Sequence, residues 1–250
     1  MIKIWPTPAG TYSRLYDDML NQVHLLIAGA SGSGKSTVIN GLIHRALLDG
    51  PGERRFILID PKGTELDEYK DFPHTLVYSQ KMPDCVNALR YALGLTKTRF
   101  ADMKRRKLRM YDGSDVYLII DELMYFTNQP QYKRETMALL QDILVIARAC
   151  RIHVIAATQN CTTTTIPASL RCNFDSRVGL RTSTAQDSRN IIGVRGCEKF
   201  PNPTLAHESY GYYMHGGEME VYKIPKVEES ERQRIIDHWT HAKPRYKLFA

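Results

Sequence analysis

Residues 29–36 read Gly29-Ala30-Ser31-Gly32-Ser33-Gly34-Lys35-Ser36, a full match to G-x-x-x-x-G-K-[ST]. Each residue type has a chemical task in that pattern. Glycines let backbone N–H groups converge on anionic oxygens with no Cβ in the way. A helix beginning at the end of the run would turn its positive terminus to the same anion. Lys35 would reach the β- and γ-phosphates of a nucleotide, and the Ser36 hydroxyl would ligate Mg²⁺. Thr37, next in the chain, is counted in the same nucleotide site. A chance match is the competing reading. The context argues against it, because the run stands between a predicted strand and a predicted helix, where this loop has to lie.

A second constellation follows an apolar strand, VYLII at 116–120, which ends in Asp121-Glu122. An aspartate at the C-terminal end of such a strand holds Mg²⁺ through water. A glutamate beside it is placed to polarise an attacking water as general base. Water as the phosphoryl acceptor favours a hydrolysing ATPase over a kinase. The bland alternative makes Glu122 the first residue of a surface loop. Gln159 follows the strand 152–157 and either stands beside the γ-phosphate or simply ends its strand.

The elements that must position these residues alternate along the chain. Apolar runs predict strands at 24–28, 56–60, 75–78, 116–121 and 152–157. Helical spacing predicts helices at 36–48, 84–93, 96–109, 134–150 and 228–239, the last either packing or docking another protein. The segments 177–180, 210–215 and 218–224 read as edge strands. Alternation of this kind predicts an α/β fold with a mostly parallel central sheet flanked by helices. Two strand-like runs separate the phosphate loop from Asp121, which suits a RecA-like P-loop NTPase with strands inserted between the two motifs. The domain reading is a lead-in over 1–22 and one ATPase domain over 23–250, without a linker.

Composition narrows the class. The chain has 250 residues, 43% hydrophobic and 24% charged, which excludes disordered and collagen-like proteins. No apolar run approaches the ~20 residues of a membrane-spanning helix, and the first residues lack the features of a signal peptide. A cytoplasmic protein without direct membrane insertion is the expectation. Lys plus Arg number 34 against 27 Asp plus Glu, a formal charge of +7. That balance suits a polyanionic partner or a mildly basic surface. Five cysteines with no C-x-x-C pair form neither a disulfide framework nor a zinc site. His24 and His153 stand at strand starts as structural histidines, and the others lack metal spacing.

The runs HLLIAGASGSGKS, FILIDPKGTEL, YLIIDEL, ARACRIHVIAATQ and TAQDSRNIIG occur in one order over about residues 23–224. In these the chain resembles the motor domain of the FtsK/SpoIIIE family of DNA translocases, within the FtsK–HerA group. The Asp60-Pro61-Lys62-Gly63 run is more specific than the phosphate loop. The resemblance implies a ring, commonly a hexamer, around double-stranded DNA, with ATP between subunits. It also implies an arginine supplied by the neighbouring copy, for which Arg148, Arg177 and Arg189 are the candidates. The compact chain is more like motors of plasmids, phages or mobile elements. The expectation is a motor with no membrane segments ahead of it and no winged-helix reader behind it.

DNA needs a phosphate handle. Lys97, Arg99, Lys104, Arg105, Arg106, Lys107 and Arg109 form the densest charge cluster, opposed by Asp102 alone. These cannot all face one way on a helix, so a loop is expected near 104–111. The resemblance places DNA-contacting loops here and after Gln159, where Thr162, Thr163, Thr164 and Thr165 offer hydroxyls to phosphates. The alternatives are a solvated helix face and a polar surface loop. The function expected is an ATP-driven double-stranded DNA translocase. The rival is a DNA- and ATP-binding coupling or scaffold protein that recruits a relaxase, replication initiator or membrane channel. A small-molecule kinase fits Asp121-Glu122 poorly.

Overall fold

A computed structural model describes residues 11–50, 52–162, 165–206 and 208–240. Eight strands form: β1 (His24–Ala28), β2 (Arg54–Ile59), β3 (Thr75–Ser79), β4 (Asp115–Ile120), β5 (Ile152–Thr158), β6 (Ser176–Leu180), β7 (Tyr210–His215) and β8 (Glu218–Lys223). All five residues of β1 are buried, as are most of β4 and β5. Strands buried on both faces are what near-continuous aliphatic runs produce in a parallel sheet. The helices are α1 (Thr11–Leu20), α2 (Lys35–Leu47), α3 (Met82–Arg106), α4 (Met124–Thr127), α5 (Pro130–Ile146), α6 (Ala168–Arg171), α7 (Ala185–Ile192), α8 (Pro203–Ala206) and α9 (Glu229–Thr240). This is the mostly parallel α/β architecture that the alternation predicts.

The chain divides into two compact units, one of residues up to Ala46 with Ala157–Arg232, the other of Leu47–Ala156 with the residues from Gln233. In the first, β1 pairs in parallel with β6, and β7 and β8 follow antiparallel. Helix α2 starts at Lys35, at the mouth of the phosphate loop. Its internal Gly41 costs about 1 kcal/mol of helix propensity, and packing explains it. A Cβ there would lie 2.1 Å from the Tyr16 ring, and Tyr16 donates its hydroxyl to the Pro225 carbonyl at 2.6 Å.

In the second unit β2 lies between β3 and β4, and β5 takes the other side of β4, all parallel. Asp115, opening β4, accepts hydrogen bonds from Arg151 at 2.7 and 2.6 Å and contacts His153 Nε2 at 3.0 Å. His153 is thus the structural histidine expected. Burial pulls the Asp115 carboxyl upward, but the Arg151 and His153 hydrogen bonds outweigh it and hold it far below the usual range. The Trp239 indole of α9 donates to the Leu47 carbonyl at 3.1 Å, and its ring meets His74 edge-on at 4.4 Å. Of the two readings of the C-terminal helix, packing is therefore what the fold displays.

Several expectations need correction. The helices expected at 84–93 and 96–109 are one, Met82–Arg106, because a single exposed Gly94 does not outweigh two dozen helical neighbours. Helix α5 begins at Pro130, since proline suits the first helical position. It stops at Ile146, with Arg148–Cys150 as a separate 3₁₀ turn. Strand β6 is not an edge, since it pairs with both β1 and β7. Gly179 explains the burial, for a Cβ there would strike Ile192 at 2.7 Å and Cys197 at 2.9 Å. The two runs between the motifs, β2 and β3, lie on one side of β4, and the strand on its other side is β5.

Candidate functional site

The phosphate loop forms between β1 and α2. Gly32 and Gly34 take φ of 70° and 101°, a region that side chains with a Cβ avoid. A Cβ on Gly34 would also lie 2.5 Å from Ser209 Oγ, and one on Gly29 2.6 Å from Ser33 Oγ and 2.8 Å from Leu180 Cβ. The Gly29 N–H donates to the Thr158 carbonyl at 3.3 Å and the Ala30 N–H to the Arg181 carbonyl at 2.8 Å. The end of β5 is thereby tied to the start of the loop, with Gln159, half-buried, immediately beyond. Lys35 Nζ donates to the Gly29 and Ala30 carbonyls at 2.8 and 3.0 Å, which holds the ammonium over the loop. Ser31 and Gly32 are exposed at its tip, whereas Ser33 is buried beneath it with no partner for its hydroxyl. Ser36 and Thr37 sit in the first turn of α2, which carries no acidic residue. The N–H groups and dipole of a helix's first turn attract an anion.

The acidic pair ends β4 in the second unit. Asp121 is buried and its N–H donates to the Ile59 carbonyl at 3.0 Å. Burial pushes its carboxyl up to about 6, and the carboxylates of Asp60, Glu65 and Glu122 push the same way while Lys62 opposes. Glu122 is buried as well, and its Oε1 accepts the Met124 N–H at 3.2 Å. The hydroxyl of Ser36 and the carboxylate of Asp121 are hard oxygen donors of the kind Mg²⁺ takes. Among the described residues no three His, Cys, Asp or Glu side chains gather as a metal cage, so Mg²⁺ would depend on nucleotide and water oxygens as well.

Sequence reasoning passed over the task of Asp60. It is fully buried. Its Oδ1 accepts the Gly63 N–H at 2.9 Å, and its Oδ2 the Glu65 and Leu66 N–H groups at 3.0 and 2.8 Å. Gly63 has φ 68°. Asp60 thus fixes the turn that carries Lys62 and Glu65, whose charges act on Asp121. An aspartate closing an apolar strand before Pro-x-Gly carries this signal, since Asp caps its own following turn. Ser209, packed against Gly34, had no signal at all.

The candidate arginines part company. Arg177 is half-buried and donates to the carbonyls of Arg171, Phe174 and Ile191, which commits it to the fold. Arg189 donates to Gln186 Oε1 at 3.1 Å on its own helix. Arg148 is exposed on its 3₁₀ turn.

The basic cluster divides. Arg99 leaves it entirely, being buried. Lys104, Arg105, Arg106, Lys107 and Arg109 are exposed. Arg106 pairs with both Asp102 and Asp112, and Arg105 with Asp102, so a second aspartate opposes the cluster. Lys104 lies over the Phe100 ring at 5.0 Å. Lys107 adopts a left-handed φ of 57° and ends α3, so the loop expected near 104–111 begins at Lys107. The Thr162 N–H donates to Asn160 Oδ1 at 2.9 Å, and its hydroxyl meets that of Thr165 at 3.1 Å. Thr165 itself is buried, so it offers no hydroxyl outward. Thr163 and Thr164 lie outside the described residues.

A glycine-shaped phosphate loop between strand and helix, on a mostly parallel sheet with an acidic strand end, defines a P-loop ATPase. The chain belongs to the FtsK/SpoIIIE family, whose model matches residues 9–199. It is 30% identical to the DNA translocase FtsK of Haemophilus ducreyi over 92% of its own length, and spans 28% of that protein. Two solved structures share the fold. One is the cytoplasmic domain of the type VII secretion ATPase EccC of Thermomonospora curvata, with TM-score 0.74 and 20% identity over 91% of this chain and 29% of that one. The other is the pCW3 conjugation coupling protein TcpA, with TM-score 0.71 and 14% identity over 88% of this chain and 66% of that one. Among the described residues no helix is long and apolar enough to cross a membrane.

Proposed function

We propose that this chain is the motor of an ATP-driven double-stranded DNA translocase, acting in the cytoplasm as a ring of copies, a hexamer by analogy with its family. The observation that carries the reading is the phosphate loop, with Gly32 and Gly34 at φ 70° and 101°, in a chain related to DNA translocase FtsK. ATP binds with its β- and γ-phosphates on the N–H groups of residues 29–37. Lys35 transfers its donors from the Gly29 and Ala30 carbonyls to phosphate oxygens. Ser36 and Asp121 are the residues that would hold Mg²⁺, which would offset the phosphate charge. Glu122 accepts a proton from the attacking water. Gln159, anchored beside Gly29, responds to the γ-phosphate. Arg148 of a neighbouring copy stabilises the charge developing on the transferred group, with Arg189 as second candidate. Lys104, Arg105, Arg106, Lys107 and Arg109 grip DNA phosphates without reading bases.

The likeness to a conjugation coupling protein favours a second reading. In that one the chain binds DNA and ATP and recruits a relaxase, initiator or membrane channel while pumping little. ATP hydrolysis with and without linear double-stranded DNA separates the two. Strong stimulation, abolished in Lys35→Ala and Glu122→Gln, supports the motor. A rate that is flat across DNA concentrations overturns it.

A further inference from the structure

Arg99 is buried at 7% exposure, and it faces no carboxylate hydrogen-bond partner. Its Nη1 donates to the carbonyls of Ser114 at 2.9 Å, Cys150 at 2.9 Å and Arg151 at 3.2 Å. Its guanidinium lies 4.5 Å from the centre of the Tyr111 ring. The Tyr111 N–H in turn donates to the Ala149 carbonyl at 2.9 Å. Gly113 makes room for that ring, since a Cβ there would lie 2.5 Å from it. A buried cation balanced by carbonyls and a ring is costly, and apolar packing would fill the same space more cheaply.

The position gives that cost a use. Tyr111 and Ser114 belong to the loop that follows Lys107, the loop bearing Arg109 and the exposed Met110. Ala149 and Cys150 belong to the 3₁₀ turn bearing Arg148. Arg99 and Tyr111 thus tie the basic loop to the arginine turn at four backbone carbonyls.

We propose that Arg99 and Tyr111 are positioning residues, a strut through which DNA held by the basic loop sets the placement of Arg148. This rests on the translocase reading. Neither residue contacts nucleotide or DNA. When phosphates draw the loop, the Tyr111–Ala149 bond and the Arg99 bridge carry the displacement to the turn. A strut of this kind governs how far DNA accelerates ATP turnover and leaves the DNA-free rate alone.

The test compares Tyr111→Leu, Tyr111→Phe and Arg99→Lys with the natural chain. It measures DNA affinity, DNA-free ATPase rate and DNA-stimulated rate. Tyr111→Leu removes the ring and Tyr111→Phe keeps it. Arg99→Lys keeps the charge and loses the fork. Tyr111→Leu and Arg99→Lys are expected to lose DNA stimulation about fivefold or more, with affinity and DNA-free rate within about twofold and Tyr111→Phe unchanged. Hydrogen exchange on the natural chain supplies a readout that does not depend on variants folding. DNA should slow exchange at residues 107–114 and at 148–151 together. Protection at 107–114 alone, or stimulation retained in Tyr111→Leu and Arg99→Lys, overturns the strut and leaves the motor standing. Absence of any DNA stimulation in the natural chain overturns the motor and the strut with it.

Discussion

Asp121 stands where chemistry and stability pull apart. Its carboxyl titrates at about 6 in the folded chain against 3.8 ordinarily, so ionising it works against the fold. The folded state binds the extra proton between those values, and the contribution of this group to stability falls as pH rises from about 4 through 6. Asp121→Asn removes the burden. We expect it to raise stability at pH 8 by on the order of 1–2 kcal/mol, a gain that shrinks towards pH 4, while ATP turnover is lost. Urea midpoints at the two pH values check the first and steady-state hydrolysis the second. An unchanged midpoint at pH 8 would contradict the crowding at this site. Asp115 behaves oppositely. Its carboxyl is held low, so its bonds to Arg151 and His153 contribute their full stability above the ordinary carboxylate range, and that contribution declines below it until pH has fallen through the lowered folded value. Asp115→Asn should lower the thermal midpoint at pH 7 and have a smaller effect in acid. Gly34→Ala should lose nucleotide binding, seen as the disappearance of the ATP-induced rise in thermal midpoint. A left-handed φ and a 2.5 Å approach to Ser209 both oppose the methyl.

At the scale of elements, α3 is the most informative. Its Gly94 is exposed, and a Cβ there meets nothing within 4 Å. Gly94→Ala is therefore expected to stabilise the chain by about 0.5–1 kcal/mol, without altering hydrolysis. A denaturant midpoint that does not rise would mean the helix is not continuous there. The far end of α3 passes its charges to the loop after Lys107, so one element carries both packing and the proposed DNA grip. The turn after β2 is held in the same way, since the two carboxylate oxygens of Asp60 accept three N–H groups of the segment that carries Lys62 and Glu65.

For the molecule as a whole, a phosphate-only grip makes a salt prediction. The logarithm of DNA affinity should fall linearly with the logarithm of salt concentration, with similar slopes on unrelated sequences. Removing Lys107 and Arg109 together should reduce the slope by about 2. A slope that differs strongly between DNA sequences would indicate base reading. The chain spans 28% of its FtsK relative from Haemophilus ducreyi.

Local chemistry was enough to place the run 29–36 between a strand and a helix, Asp121-Glu122 at a strand end, strand β1 to the residue, and the mostly parallel sheet. Each depends on neighbours a few positions apart, through glycine stereochemistry, strand burial and helix starts. Long-range packing settled the rest. That β6 is interior follows from its pairing with β1, about 150 positions back in the chain, on one side and with β7 on the other. That Arg99 is a buried bridge follows from carbonyls some fifty positions away, and composition alone counted it with the DNA-facing charges. Arg177 stood level with Arg148 and Arg189 as a candidate in the sequence, which gives no sign of the three backbone carbonyls that accept from it. A sequence states which charges exist, but only tertiary structure decides which are already spent, because a charge's partner is set by where the chain returns.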